Sequence, residues 1–102
     1  MPTFVLVHGA WSGGWAWRKL ARLLQSRGHE AIRATLTGQG ERAHLARPDT
    51  DLETHIRDVT ALIEFEELQD IVLVGHSYGG MVVTAVADRL PGPIARLVGS
   101  IP

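Results

Sequence analysis

Gly75-His76-Ser77-Tyr78-Gly79 sets a serine between two glycines in the pattern G-x-S-x-G. That is the form of a nucleophile elbow, in which a strained turn lifts the serine hydroxyl above the edge of a sheet and the flanking glycines leave room for the sharp reversal. Five residues with two variable positions say little alone, and the flanks make the pattern specific. Asp70-Ile71-Val72-Leu73-Val74 before it is short, apolar and β-branched, as a buried strand should be, and Met81 to Ala87 after it is apolar on nearly every face, as a buried helix should be. An elbow serine needs a base to take its proton. The chain ends 25 residues after Ser77, and in that stretch the only acid is Asp88 and there is no histidine.

All 5 histidines therefore precede the serine. His8 follows the first apolar run and His76 directly precedes the serine. His29 follows a helix end and reads as a surface residue. His44 falls in a loop and His55 in the first turns of a helix, and neither belongs to a metal-ligand pattern, so no metal site is expected. Gly38-Gln39-Gly40-Glu41-Arg42-Ala43 fits G-x-G-x-x-A. A dinucleotide fingerprint must open a helix directly after the first strand, whereas this one follows the second and runs into a loop marked by Pro48. No Gly-Lys-Ser/Thr follows either glycine cluster, which removes a P-loop. No cofactor is expected. Glu64-Phe65-Glu66-Glu67 reads as the solvated end of a helix.

The elements that must hold the elbow alternate along the chain. Phe4 to Val7 is a continuous apolar run suited to a strand buried on both faces. A loop of small residues, Ala10 to Gly14, leads to Trp17, Leu20, Ala21 and Leu24 at helical spacing, and Gly28 is placed to end that helix in a left-handed conformation. Ala31 to Leu36 reads as a second strand, less apolar than the first, as an edge would allow. Thr37 to Asp49 is polar and irregular. Thr50-Asp51-Leu52-Glu53 has the form of a capping box, continued by the stripe Leu52, Ile56, Val59 and Ile63. The third strand and the elbow helix follow, the helix stopped by Pro91-Gly92-Pro93. Ile94 to Val98 is a fourth strand, and Gly99-Ser100-Ile101-Pro102 is poor strand material. This alternation predicts an α/β domain with a parallel sheet and right-handed crossovers.

The 102 residues make a single domain, well short of the roughly 200 to 250 that large α/β domains use. With 10 basic and 11 acidic side chains the net charge is -1, which provides no field to gather nucleic acid or an anionic membrane, and neither partner is expected. There is no cysteine, so disulfides and thiolate chemistry are excluded. No apolar run is long enough to span a bilayer. Met1-Pro2-Thr3 enters the first strand without a basic leader, so no signal peptide is expected and the cytoplasm is the expected compartment.

Three stretches, in order, carry a resemblance: Phe4-Val5-Leu6-Val7-His8-Gly9-Ala10-Trp11 with Gly13-Gly14-Trp15, then Gly40-Glu41-Arg42 with His44-Leu45, then Val72 to Met81 through the elbow. On these residues the chain resembles the N-terminal part of α/β-hydrolases, and among them the small esterases related to plant methyl esterases and hydroxynitrile lyases. The resemblance implies the strand order 2-1-3-4 with helices on both faces. The loops after the first and third strands then share one crevice at a switch point. It further implies Ser77 as nucleophile and the backbone NH groups of Ala10 and Tyr78 as oxyanion donors. Gly9 lets the loop backbone approach the substrate carbonyl. The related lyases carry threonine at the position of Gly9 and glutamate at that of His76, so both residues favour ester hydrolysis. Trp11, Trp15 and Tyr78 are candidates to line an acyl or alcohol pocket, with Gly9 and His76 beside them. His8 and His76 are structural positions in the family.

In the family the acid and histidine of the triad follow the serine on later loops, and here neither is present. The chain thus reads as a truncated or engineered minimal fragment, residues 1–102 being a partial α/β-hydrolase domain. It is expected to act, if at all, on carboxylic esters, with weak turnover, a small-molecule ester being the substrate class. The rival expectation is a noncatalytic folding or assembly unit: the fourth strand would be an open edge beside uncovered apolar surface, both masked by homo-oligomerisation. A small-molecule binding protein without turnover is a third reading that no residue singles out.

Overall fold

The structure is a computed structural model that describes residues 2–100. β1 (Thr3–Val7) leads through a 3-10 turn (Gly14–Trp17) into α1 (Arg18–Ser26). β2 (Glu30–Ala34) follows, then a kinked 3-10 stretch (Gly40–Leu45) and α2 (Leu52–Phe65). β3 (Ile71–His76), α3 (Tyr78–Arg89) and β4 (Ile94–Ser100) complete the order. The four strands are parallel and stand in the order β2-β1-β3-β4, as expected. Val5 is level with Ile32 on one side and with Leu73 on the other.

The central strand is the most apolar. Val5, Leu6 and Val7 have no solvent exposure, and because side chains alternate across a strand they feed two cores. Val5 and Val7 join Ile71 and Leu73 of β3 against Ile56, Val59 and Ile63 of α2 and Val82, Val83 and Val86 of α3. Leu6 faces the opposite side, where α1 lies with Ala21 buried. Burying each such aliphatic chain contributes roughly 1.5–3 kcal/mol. Helices therefore cover both faces, two on one and one on the other.

Several local expectations shift. β2 ends at Ala34 rather than Leu36, because the Leu36 NH donates to His8 Nε2 at 3.0 Å and the Thr35 hydroxyl is engaged with Gly14 and Glu41. The capping box is one residue later than Thr50–Glu53. Asp51 is the N-cap, its carboxylate accepting from the Thr54 NH at 3.0 Å while the Thr54 hydroxyl accepts from the Asp51 NH at 3.2 Å. Glu53 is drawn off by Arg89, whose guanidinium donates to both carboxylate oxygens at 2.6 and 2.7 Å. The irregular stretch after β2 contains the kinked 3-10 stretch Gly40–Leu45. β4 runs past Val98 to Ser100, while Ile101-Pro102 lies outside the described residues. Gly28 has φ 86°, the left-handed helix stop its position implies. Among the described residues no helix is long and apolar enough to cross a membrane.

Candidate active site

The carboxyl ends of β1 and β3 meet at the switch point, and the turn carrying Ser77 stands there. Ser77 closes β3 and caps α3 with φ 56° and ψ -118°, a left-handed conformation that a serine holds only when its surroundings enforce it. The turn requires glycine at two positions. A side chain at Gly75 would run into the Gly79 carbonyl, and one at Gly79 would fall 2.5 Å from the His8 carbonyl oxygen and 2.6 Å from that of Val7. The first turn of α3 is thus pressed onto the end of β1. The Ser77 carbonyl accepts from the Gly80 NH at 2.8 Å, and the Ser77 side chain is exposed.

The loop after β1 runs alongside. A methyl group at Gly9 would lie 3.4 Å from Ser77 Cβ, an ordinary contact, and 3.3 Å from the His76 carbonyl oxygen, a tight one, so the loop backbone runs directly against the Ser77 turn. The helix N-terminus directs unpaired NH groups and the positive end of its dipole toward the same space. A cleft of about 510 Å³ opens on the α1 side, lined by His8, Gly9, Ala10, Ser12, Ala16, Trp17 and His76. Of the residues expected to form a pocket, Gly9 and His76 line this cleft together with Ala10. Trp11 is 94% exposed and stands outside it. Trp15 is also exposed. The Tyr78 ring turns to the opposite side, against the core.

His8 is buried and both its ring nitrogens are occupied: Nδ1–H donates to the Gly9 carbonyl at 2.6 Å and Nε2 accepts from the Leu36 NH. Burial lowers its pKa, so it stays neutral and serves as a scaffold residue. His55 is buried likewise, its Nε2–H donating to the Thr37 carbonyl at 2.9 Å and its Nδ1 accepting from the Tyr78 hydroxyl at 2.7 Å. The two rings meet edge to face at 5.5 Å. Burial pushes the Tyr78 phenol up, which keeps it a donor. His29, expected at the surface, is half-buried with its ring edge to face on Phe4 at 5.2 Å, at the amino ends of the strands and away from Ser77. His44 is exposed on the 3-10 stretch. Asp88 is exposed on α3, about 16 Å along the helix from Ser77 at 1.5 Å per residue. Among the described residues no group of three or more metal-ligand side chains gathers.

Sequence reasoning missed two residues. His55 falls on the apolar stripe formed by Leu52, Ile56, Val59 and Ile63, and a polar ring on that face was the available signal. Gln39, whose amide oxygen accepts from the Trp11 NH at 3.2 Å, gave none.

The profile of a family described as the alpha/beta hydrolase family matches residues 4–101. A carbendazim hydrolyzing esterase from Nocardioides sp. is 58% identical over 98 residues, covering 96% of this chain and 40% of the esterase. An alpha-hydroxynitrile lyase from Arabidopsis thaliana is 38% identical, over 93% of this chain and 37% of the lyase. Among solved structures, an extracellular alpha/beta-hydrolase from a Paenibacillus species superposes with a TM-score of 0.88 at 31% identity, covering 97% of this chain and 40% of that one. The chain spans about 40% of the length of the relatives it matches.

Proposed function

The chain belongs to the alpha/beta hydrolase family, and from that premise we propose that it carries the nucleophile and oxyanion half of an ester-cleaving site. Ser77 Oγ attacks the ester carbonyl carbon, and the carbonyl oxygen becomes an oxyanion held by the backbone NH groups of Ala10 and Tyr78. With no side chain among the described residues placed to do so, water takes the Ser77 Oγ proton and gives one to the departing alkoxide. Collapse thus expels the alcohol and leaves an acyl group on Ser77. A second water then hydrolyses the acyl group to the carboxylic acid and restores Ser77. Gly9 keeps the β1 loop close enough for both donors to reach one oxygen, and the cleft beside His76 receives part of a small ester. The observation that carries the proposal is the left-handed Ser77 between β3 and α3, with the Gly9 backbone against it.

Proton transfer is the weak link. His8 and His55 have both ring nitrogens engaged in the scaffold, and no histidine follows Ser77. Loss of the base removes about four to six powers of ten in rate, whereas an oxyanion hole with binding retains about 10³-fold over water. The chain is therefore expected to hydrolyse 4-nitrophenyl acetate slowly but faster than its Ser77→Ala variant. Equal rates for the two folded proteins would contradict the proposal.

A second reading rests on a separate observation. β4 is an edge strand whose Leu97 and Val98 are 42% and 40% exposed, and Met81 on α3 is 59% exposed. A chain with such an edge lowers its free energy by pairing with another copy, so a homo-oligomer is proposed whether or not turnover is detected.

A further inference from the structure

Two residues of the G-x-G-x-x-A stretch that fails as a dinucleotide site, Gln39 and Glu41, join Thr35, Leu36 and Thr37 just before it in hydrogen bonds near Ser77. We propose that the segment from Thr35 to Glu41 is a frame holding the two oxyanion donors in register, with Gln39 positioning the Ala10 side and His55 the Tyr78 side. The inference rests on the oxyanion assignment above.

One arm reaches the loop after β1. The Gln39 amide oxygen accepts from the NH of Trp11, the residue directly after Ala10. Trp11 has φ 64°, a conformation unfavourable for a non-glycine residue that must be held from outside. Its side chain is 94% exposed, so packing of the indole does little to hold it and the backbone contact to Gln39 is the restraint at hand. Further along the same loop, the Thr35 hydroxyl accepts from the Gly14 NH at 2.9 Å and donates to Glu41 at 2.7 Å. Gly40, at φ 52°, lets the two loops touch, since a side chain there would fall 2.9 Å from Gly13 Cα. At the start of the loop, the Leu36 NH donates to His8.

The other arm reaches the elbow helix. Thr37 is fixed to α2 by its NH and hydroxyl, which donate to the Asp58 carboxylate at 2.6 and 2.7 Å. Its carbonyl accepts from His55, and His55 accepts from the Tyr78 hydroxyl. The ring of the residue whose NH is the second donor is thereby tied to the segment that fixes the first. Ala10, in the loop after β1, and Tyr78, at the start of α3, lie 68 positions apart in sequence, and this segment is bonded to Trp11 beside the first and, through His55, to the side chain of the second.

The test uses the full chain with Gln39→Met, Gln39→Glu and Tyr78→Phe, read by fluorophosphonate labelling of Ser77 and by amide hydrogen exchange. Met keeps the bulk of Gln39 without the acceptor, whereas Glu keeps the acceptor. Gln39→Met is expected to lower the maximal labelling rate about 3- to 10-fold with half-saturating probe unchanged, the size of one lost hydrogen bond. Gln39→Glu is expected to label at the parent rate, and Tyr78→Phe to slow labelling on the same scale. The Trp11 amide is expected to exchange faster in Gln39→Met while Val5 to Val7 stay protected. Parent-like labelling and Trp11 exchange in Gln39→Met would overturn the frame, as would equal slowing in Met and Glu variants. If the folded parent is not labelled at all, the ester-cleaving proposal fails by itself, and Trp11 exchange then decides the frame: faster in Gln39→Met supports it and unchanged refutes it.

Discussion

Gly79 and Gly80 are neighbours in the first turn of α3, yet adding one methyl group should have opposite effects at the two positions. At Gly79 the new Cβ would lie 2.5 and 2.6 Å from the carbonyl oxygens of His8 and Val7, against about 3.4 Å for the start of ordinary contact. Both obstacles are backbone atoms of the central strand and its exit, so no side chain can swing aside, and α3 must lift from β1. Overpacking costs about 1–3 kcal/mol, and rigid neighbours put this case near the upper end. At Gly80 nothing lies within 4 Å, and Gly→Ala there removes unfolded-state freedom for a gain of about 0.5–1 kcal/mol. With a urea m-value of about 1–1.5 kcal/mol per M for a chain this size, Gly79→Ala should lower the unfolding midpoint by about 2 M and Gly80→Ala raise it by about 0.5 M. Equilibrium urea unfolding followed by far-ultraviolet circular dichroism measures both. Equal shifts in the two variants, or a stabilised Gly79→Ala, would refute the reasoning that contact between α3 and β1 fixes the elbow.

Other perturbations test separate parts of the fold. The hydrogen bonds from Arg89, then those from Arg57, hold the Glu53 pKa down at about 2. A carboxylate depressed in the folded state stabilises above its unfolded value near 4.5 and loses that contribution as pH falls toward 2. The urea midpoint should therefore fall across that window, and less steeply in Glu53→Gln. His8 is depressed by burial, so its neutral form supports the fold above the unfolded value of 6.5, and the unfolded state takes up more protons below it. Stability should drop as pH falls below 6.5, and the slope between pH 7 and 5.5 should shrink in His8→Gln, which should also be destabilised by about 2 kcal/mol for the lost buried hydrogen bonds. Light scattering on a size-exclusion column should show a dimer or larger species that Leu97→Glu shifts toward monomer. A parent running as a clean 11.1 kDa monomer at high concentration would contradict self-association.

Most of the sheet was legible because its signals are local. Unbroken apolar runs mark β1 and β3, a 3.6-residue stripe marks α2, and the glycines around Ser77 mark a turn whose crowding the structure then explains. The strand order came from resemblance, since alternation of elements leaves it open. What escaped depends on partners distant in sequence. Thr50 read as the helix cap, yet Asp51 takes that place in the structure, where Glu53 pairs with Arg89, 36 residues away. β2 stops early because its last residues bond to the loop after β1. His55 read as an unremarkable helical residue because its partners, Thr37 and Tyr78, come from two other elements.

The central claim is that Ser77 on its strained turn is a nucleophile served by an oxyanion hole. Intact-mass analysis after incubation with a fluorophosphonate probe tests it most directly, with Ser77→Ala as the control. The expected result is slow addition of one probe per chain, absent in Ser77→Ala. A folded parent that gains no mass, or a Ser77→Ala variant that gains as much, would contradict it.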